Sequence, residues 1–106
     1  MTELTSPEQL DEVFQLPLAV IFKHSGRCPI SRAARSEVEK FIQEMPDIPV
    51  YIVDVIHNGT VSKRVAERTG IRHESPQTIV LRSGNAIWYA SHYDVTKASL
   101  RDNLAA

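Results

Sequence analysis

The apolar positions change period repeatedly along the chain, and each change marks an element. Leu18-Ala19-Val20-Ile21-Phe22 is a continuous apolar run rich in β-branched residues, the pattern of a strand covered on both faces. From Pro29 the spacing lengthens. Ile30, Ala34, Val38, Phe41, Ile42 and Met45 form the stripe of an amphipathic helix, which Pro46 and Pro49 end. Val50-Tyr51-Ile52-Val53 reads as a second strand with Asp54 at its exit. An earlier helix is predicted over 7–15: Ser6 caps it, Pro7 suits its first position, Gln9 completes a capping box, and Leu10, Val13 and Phe14 share a face. Asn58-Gly59 makes a turn before a helix over Val61 to Thr69, closed by Gly70. Thr78 to Leu81 and Ala86 to Ala90 are strands joined around Ser83-Gly84-Asn85. A last helix starts near Thr96 and carries Leu100 and Leu104 inward.

Strands separated by helices imply a parallel pair, and the terminal hairpin adds antiparallel strands. The fold class is therefore α/β. The order resembles a thioredoxin-like three-layer fold with a mixed four-stranded sheet and four helices, lacking the extra first strand. With 106 residues and no repeat or linker, one domain over 1–106 is expected.

Composition narrows the function. A net charge of -1 gives no general case for nucleic acid or an anionic membrane. No apolar run approaches the roughly 18–20 residues of a membrane span. Met1-Thr2-Glu3-Leu4-Thr5 lacks the basic and apolar regions of a secretory signal, so a cytoplasmic location is expected. A monomer is the working expectation for assembly. No two histidines have metal-ligand spacing, and no metal site is expected. A single cysteine, Cys28, excludes an internal disulfide and a two-cysteine redox couple. Any disulfide it forms is with another molecule.

Lone cysteines in cytosolic proteins are most often small buried hydrophobes. Cys28 is placed differently, between polar residues at a strand-to-helix junction and outside the apolar stripe. If the helix begins at Pro29, Cys28 is its N-cap, and the free N–H groups and positive dipole end face the sulfur. That setting favours thiolate over thiol. Lys23, Arg27, Arg32 and Arg35 add four basic residues between positions 23 and 35, with no acidic ones. Ser31 stands three residues on, where its hydroxyl can bond the sulfur and where a Cys-x-x-Cys pair would have its second thiol. Serine there cannot resolve a mixed disulfide. Pro29 fixes φ and removes one N–H at the helix start.

A second element is Ser75-Pro76, just before the third strand. Proline is permitted at a strand's first position. Thioredoxin-like topology brings this loop beside the cysteine helix, where the backbone of Ser75 can pair with an extended substrate. The residues alone leave the partner thiol open among bacillithiol, coenzyme A, cysteine and glutathione.

His24-Ser25-x-x-Cys28-Pro29-Ile30-Ser31 together with His73-Glu74-Ser75-Pro76-Gln77 resembles the monothiol bacilliredoxin family of the bacillithiol system, YtxJ type, over nearly the whole chain. One departure is Gly26-Arg27, where the family pattern has threonine or another small polar residue nearer the cysteine. The resemblance implies a thiol-disulfide oxidoreductase that removes bacillithiol from protein mixed disulfides. Cys28 would be the nucleophile, with Pro29 and Ser31 beside it. Bacillithiol would be a co-substrate, with no tightly bound cofactor, and S-bacillithiolated proteins the partners. Bacillithiol carries carboxylates on a malate group, which makes Arg27, Arg72 and His73 candidate contacts, with Ser75 and Pro76 lining the substrate path. Two other classes remain beside this one: a cysteine redox sensor without turnover, and an iron–sulfur binding module like the monothiol glutaredoxins. Pro29 argues against the last, because it stiffens the ligand loop and removes a donor to sulfur.

Overall fold

The computed structural model describes residues 1–105, so the last position of the expected 1–106 unit lies outside it. Strand β1 (Thr2–Glu3) precedes helix α1 (Pro7–Val13), strand β2 (Leu18–His24) and the long helix α2 (Pro29–Glu44). Strand β3 (Val50–Asp54), helix α3 (Gly59–Thr69), strands β4 (Gln77–Arg82) and β5 (Asn85–Ser91), and helix α4 (Lys97–Asp102) follow, with a 3₁₀ turn at His92–Asp94. Local chemistry sets several of these limits. The Ser6 hydroxyl accepts from the N–H of Gln9 at 3.4 Å, and the Gln9 side chain accepts from the N–H of Ser6 at 3.1 Å. Helix α1 ends earlier than its apolar spacing predicts, because the N–H groups of Gln15 and Leu16 turn back to carbonyls only three residues away. Gly70 closes α3 at φ 72°, the left-handed conformation a side chain resists.

The strands form one sheet in the order β1-β3-β2-β4-β5. Strand β2 runs parallel to β3, with Ile21 opposite Tyr51, and antiparallel to β4, with Lys23 opposite Gln77. The sheet therefore has five strands, where four were expected. The fifth is β1, which pairs parallel to β3 at Thr2–Tyr51 and Glu3–Ile52. Two exposed residues carry no periodicity to read. The pairing is fixed from outside them, by the N–H of Leu4 donating to the Ile52 carbonyl at 2.9 Å and the burial of Leu4.

Pleating sorts β2 between two cores. Ala19 and Ile21 pack with Leu10 and Val13 of α1 and Val61 and Val65 of α3. Val20 and Phe22 pack with Ala34, Val38 and Phe41 of α2 and Leu100 of α4. The result is three layers, helices on both faces of the sheet, as the element order predicts. Among the described residues no helix is long and apolar enough to cross a membrane.

The β4–β5 turn tests the fit of α1 against the sheet. Gly84 lies at φ 80°, and a Cβ there would stand 2.7 Å from the backbone oxygen of Phe14. Gly84→Ala is expected to cost about 1–3 kcal/mol of unfolding free energy in urea titrations. A variant within about 0.5 kcal/mol of the parent, the scale of ordinary surface changes, would contradict this packing.

Candidate active site

Helix α2 starts at Pro29, and Cys28 is its N-cap in extended conformation at φ -97° and ψ 125°. Its carbonyl accepts the first intrahelical bond, from the N–H of Arg32 at 3.1 Å, and its own N–H donates to Ser25 at 3.3 Å. Pro29 supplies no N–H, so the first free donors of the helix are those of Ile30 and Ser31. The sulfur is part-exposed and closes no capping hydrogen bond. The N–H groups of Ser31 and then Ile30 nevertheless hold the thiol below its ordinary value, with the Ser31 hydroxyl and the charge of Arg32 adding to them and burial opposing. Ser31 is fully buried. Its oxygen accepts from the N–H of Ser25 at 3.3 Å, which leaves the hydroxyl proton for the sulfur.

The expected cluster of basic residues divides on inspection. Arg32 acts on Cys28, whereas Arg35 pairs with Glu39 at 3.3 Å and acts on His24. Arg27 is exposed, and among the described residues no ion pair holds it. Lys23 corrects the expectation that its charge supports Cys28. It lies on the α3 side of the pleat, fully buried at 0% exposure, with Nζ 3.1 Å from Nδ1 of His73. Burial pulls its pKa down to about 8.

The register brings the second loop to the first. With Lys23 opposite Gln77, one further antiparallel step sets Pro76 across from His24. The Ser75-Pro76 peptide is cis. The Pro76 carbonyl accepts from the N–H of His92 at 2.8 Å, and the Gln77 amide donates to the Arg72 carbonyl at 3.1 Å and to Ser91 at 3.2 Å. These bonds fix the loop from its far side. The backbone N–H and C=O of Ser75 form no backbone hydrogen bond among the described residues, and its hydroxyl is buried without a partner. Arg72 and His73 are exposed at the loop's outer edge. Glu74 lies 3.2 Å from His92, and the Ser91 hydroxyl, followed by His92, holds its carboxyl below the ordinary range.

His24 points to the opposite face, its ring 5.6 Å from that of Phe22. Burial, then Arg35, lowers its pKa, with Asp54 opposing. It borders a cleft of about 670 Å³ between α2 and β3 that also meets Gly26, Arg35 and Asp54 but not Cys28. The N–H of His57 and then its ring hold the Asp54 carboxyl down at about 2. Among the described residues no three His, Cys, Asp or Glu side chains come together to hold a metal ion.

Sequence reasoning passed over two residues here, Lys23 as an inward group and Ser62 on α3. The available signal was parity: Lys23 continues the Ala19, Ile21 face of a strand covered on both sides.

The pH midpoint of Cys28 alkylation by iodoacetamide is expected below that of free cysteine. Ser31→Ala should raise it more than Arg32→Ala does, and a midpoint at the free-cysteine value would contradict the N-cap assignment. Lys23 has the opposite linkage to a stabilising pair. The unfolded chain keeps its proton to about 10.5 and the folded chain releases it at about 8, so the unfolded state binds more protons in between. Stability should rise with pH across that window by a few kcal/mol, on the order the shift implies, and Lys23→Met should flatten the rise. An unchanged profile in the variant would place the lysine in water.

A family model, monothiol bacilliredoxin BrxC, matches residues 2–100. A solved structure described as having a thioredoxin fold and, provisionally, as an oxidoreductase is 31% identical at TM-score 0.91, over 96% of this chain and 91% of that one. Thioredoxins from Fasciola hepatica (19% identity, TM-score 0.78, 98% and 96% covered) and Trypanosoma brucei brucei (20%, 0.81, 96% and 88%) share the fold. The fold is thioredoxin-like, and from the match over residues 2–100 the chain belongs to the monothiol bacilliredoxin family.

Proposed function

We propose that the protein removes bacillithiol from protein mixed disulfides, with Cys28 as nucleophile. Family and fold support thiol redox chemistry at this cysteine. The observation that carries the reading is the part-exposed sulfur at the head of α2, faced by the N–H groups of Ser31 and Ile30.

The Cys28 thiolate attacks the bacillithiol sulfur of the mixed disulfide. An S–S bond forms between Cys28 and bacillithiol, the old S–S bond breaks, and the protein sulfur leaves as a thiolate that takes a proton from solvent. A second bacillithiol thiolate then attacks the bacillithiol sulfur held on Cys28. Oxidised bacillithiol forms and the Cys28 thiolate returns. Ser31 has no thiol, so this outside attack is the resolving step. Pro29 keeps the loop rigid and directs the donor role to Ile30 and Ser31. Ser75 offers its unpaired N–H and C=O to the extended protein substrate beside Pro76, while Arg27, Arg72 and His73 take the carboxylates of bacillithiol. Bacillithiol is a co-substrate here, and the cytoplasm is the compartment that suits this exchange.

The test is turnover of a bacillithiolated protein under excess bacillithiol, read by mass spectrometry. Many protein thiols released per Cys28 are expected, with none for Cys28→Ala and retained turnover for Ser31→Ala. Release of one equivalent only, with bacillithiol left on Cys28, would make the protein a sensor instead.

A further inference from the structure

Lys23 is a fully buried ammonium whose pKa is lowered by burial, and among the described residues no carboxylate compensates it. A bare charge in such a place is costly and needs a partner. The partner is the Nδ1 of His73 at 3.1 Å, with the buried Ser62 hydroxyl 3.2 Å from the same nitrogen. Three elements meet at one atom: β2 through Lys23, α3 through Ser62, and the loop before Pro76 through His73.

An ammonium has donors and no acceptor. Facing it, Nδ1 must be the unprotonated nitrogen, and the proton of the neutral ring must sit on Nε2, across the ring from the lysine in a residue that is exposed. Protonating the ring would set an imidazolium against the ammonium. In accord with that, burial and then Lys23 lower the His73 pKa, with Glu74 alone opposing.

We propose that Lys23 is a positioning residue that locks His73 in the Nε2–H tautomer, so that this outward N–H donates to a carboxylate of the low-molecular-weight thiol. Exposed Arg72, next in the chain, provides charge for the same acid. The proposal rests on the Cys28 reading for its ligand, whereas the tautomer is measured without any turnover.

The direct test is nitrogen NMR of histidine-labelled protein at pH 7. The wild type should show His73 with protonated Nε2 and bare Nδ1. Lys23→Met should give mixed tautomers, since Ser62 can accept as well as donate, and Lys23→Arg, again donor-only, should restore the single form. A protonated Nδ1 in the wild type, or an unchanged pattern in Lys23→Met, overturns the assignment. The ligand is tested by the rate at which Cys28 attacks oxidised bacillithiol compared with cystamine, which has no carboxylate. His73→Phe should slow the first by about tenfold relative to the second, Lys23→Met by about twofold as mixed tautomers imply, and the double variant should lose no more than His73→Phe alone. Equal loss with both disulfides, or additive losses, would overturn the carboxylate role. Wild-type protein that attacks both disulfides but never turns over a bacillithiolated protein would sink the enzymatic reading alone.

Discussion

A sulfur placed where a helix has its unspent N–H groups is the constraint on which the structure turns. At most helix starts a serine or aspartate oxygen satisfies those donors, as Ser6 does for α1 and Thr96 does for α4. At α2 the capping position is given to Cys28, whose neutral thiol is a poor acceptor and whose thiolate is a good one. The donors are thus left for the ionised form, and the helix end favours ionisation because among the described residues no side chain caps it. Pro29 sharpens this arrangement. It removes the donor at the first position and leaves those of Ile30 and Ser31, the two that act on the sulfur. The cost of a poor cap is borne by the rest of the helix, through Ala34, Val38 and Phe41 in the core.

Thiol acidity here has a local origin. Of the basic residues near Cys28 in sequence, Arg32 alone acts on the sulfur, and it contributes less than the backbone does. Arg35 is committed to Glu39, and Lys23 is on the far side of the sheet. Net charge and charge clustering therefore say little about this thiol, while its position relative to one turn of helix says most. The exposed guanidinium groups of Arg27 and Arg72 have no such task and remain open to a ligand's acid groups.

Much of this was legible in the sequence because it rests on short-range rules. The Ser6-Pro7-Glu8-Gln9 box, the α2 stripe, the Gly70 stop and the cysteine at the strand-to-helix junction each follow from neighbours a few residues apart. Strand β1 was illegible since two exposed residues have no pattern of their own, and their pairing is settled by Ile52 and the buried Leu4. Lys23 was misread for a related reason. In sequence it is a charge five places before the cysteine, and only parity along a doubly covered strand sends it inward. Its partners, Ser62 and His73, are 39 and 50 residues away, joined to it by topology alone.

Parity at the end of β2 has a final consequence. Lys23 and His24 are adjacent, so the pleat must send them to opposite layers. His24 packs toward α2, on the side of the helix that sets thiol acidity, with its ring against Phe22. Lys23 reaches toward α3 and holds the loop that ends in Ser75-Pro76. Strand β2 therefore supports both halves of the candidate site, the Cys28 end of α2 through one face and the Ser75-Pro76 loop through the other. Lys23 is engaged with His73, while the groups that lower the Cys28 thiol are Ser31, Ile30 and Arg32. In the proposed reading, a change that loosens the His73 side alters what binds while the groups acting on the sulfur stay in place. That separation suits the proposed exchange, in which the one cysteine sulfur attacks first and, once loaded, is resolved by the next thiol.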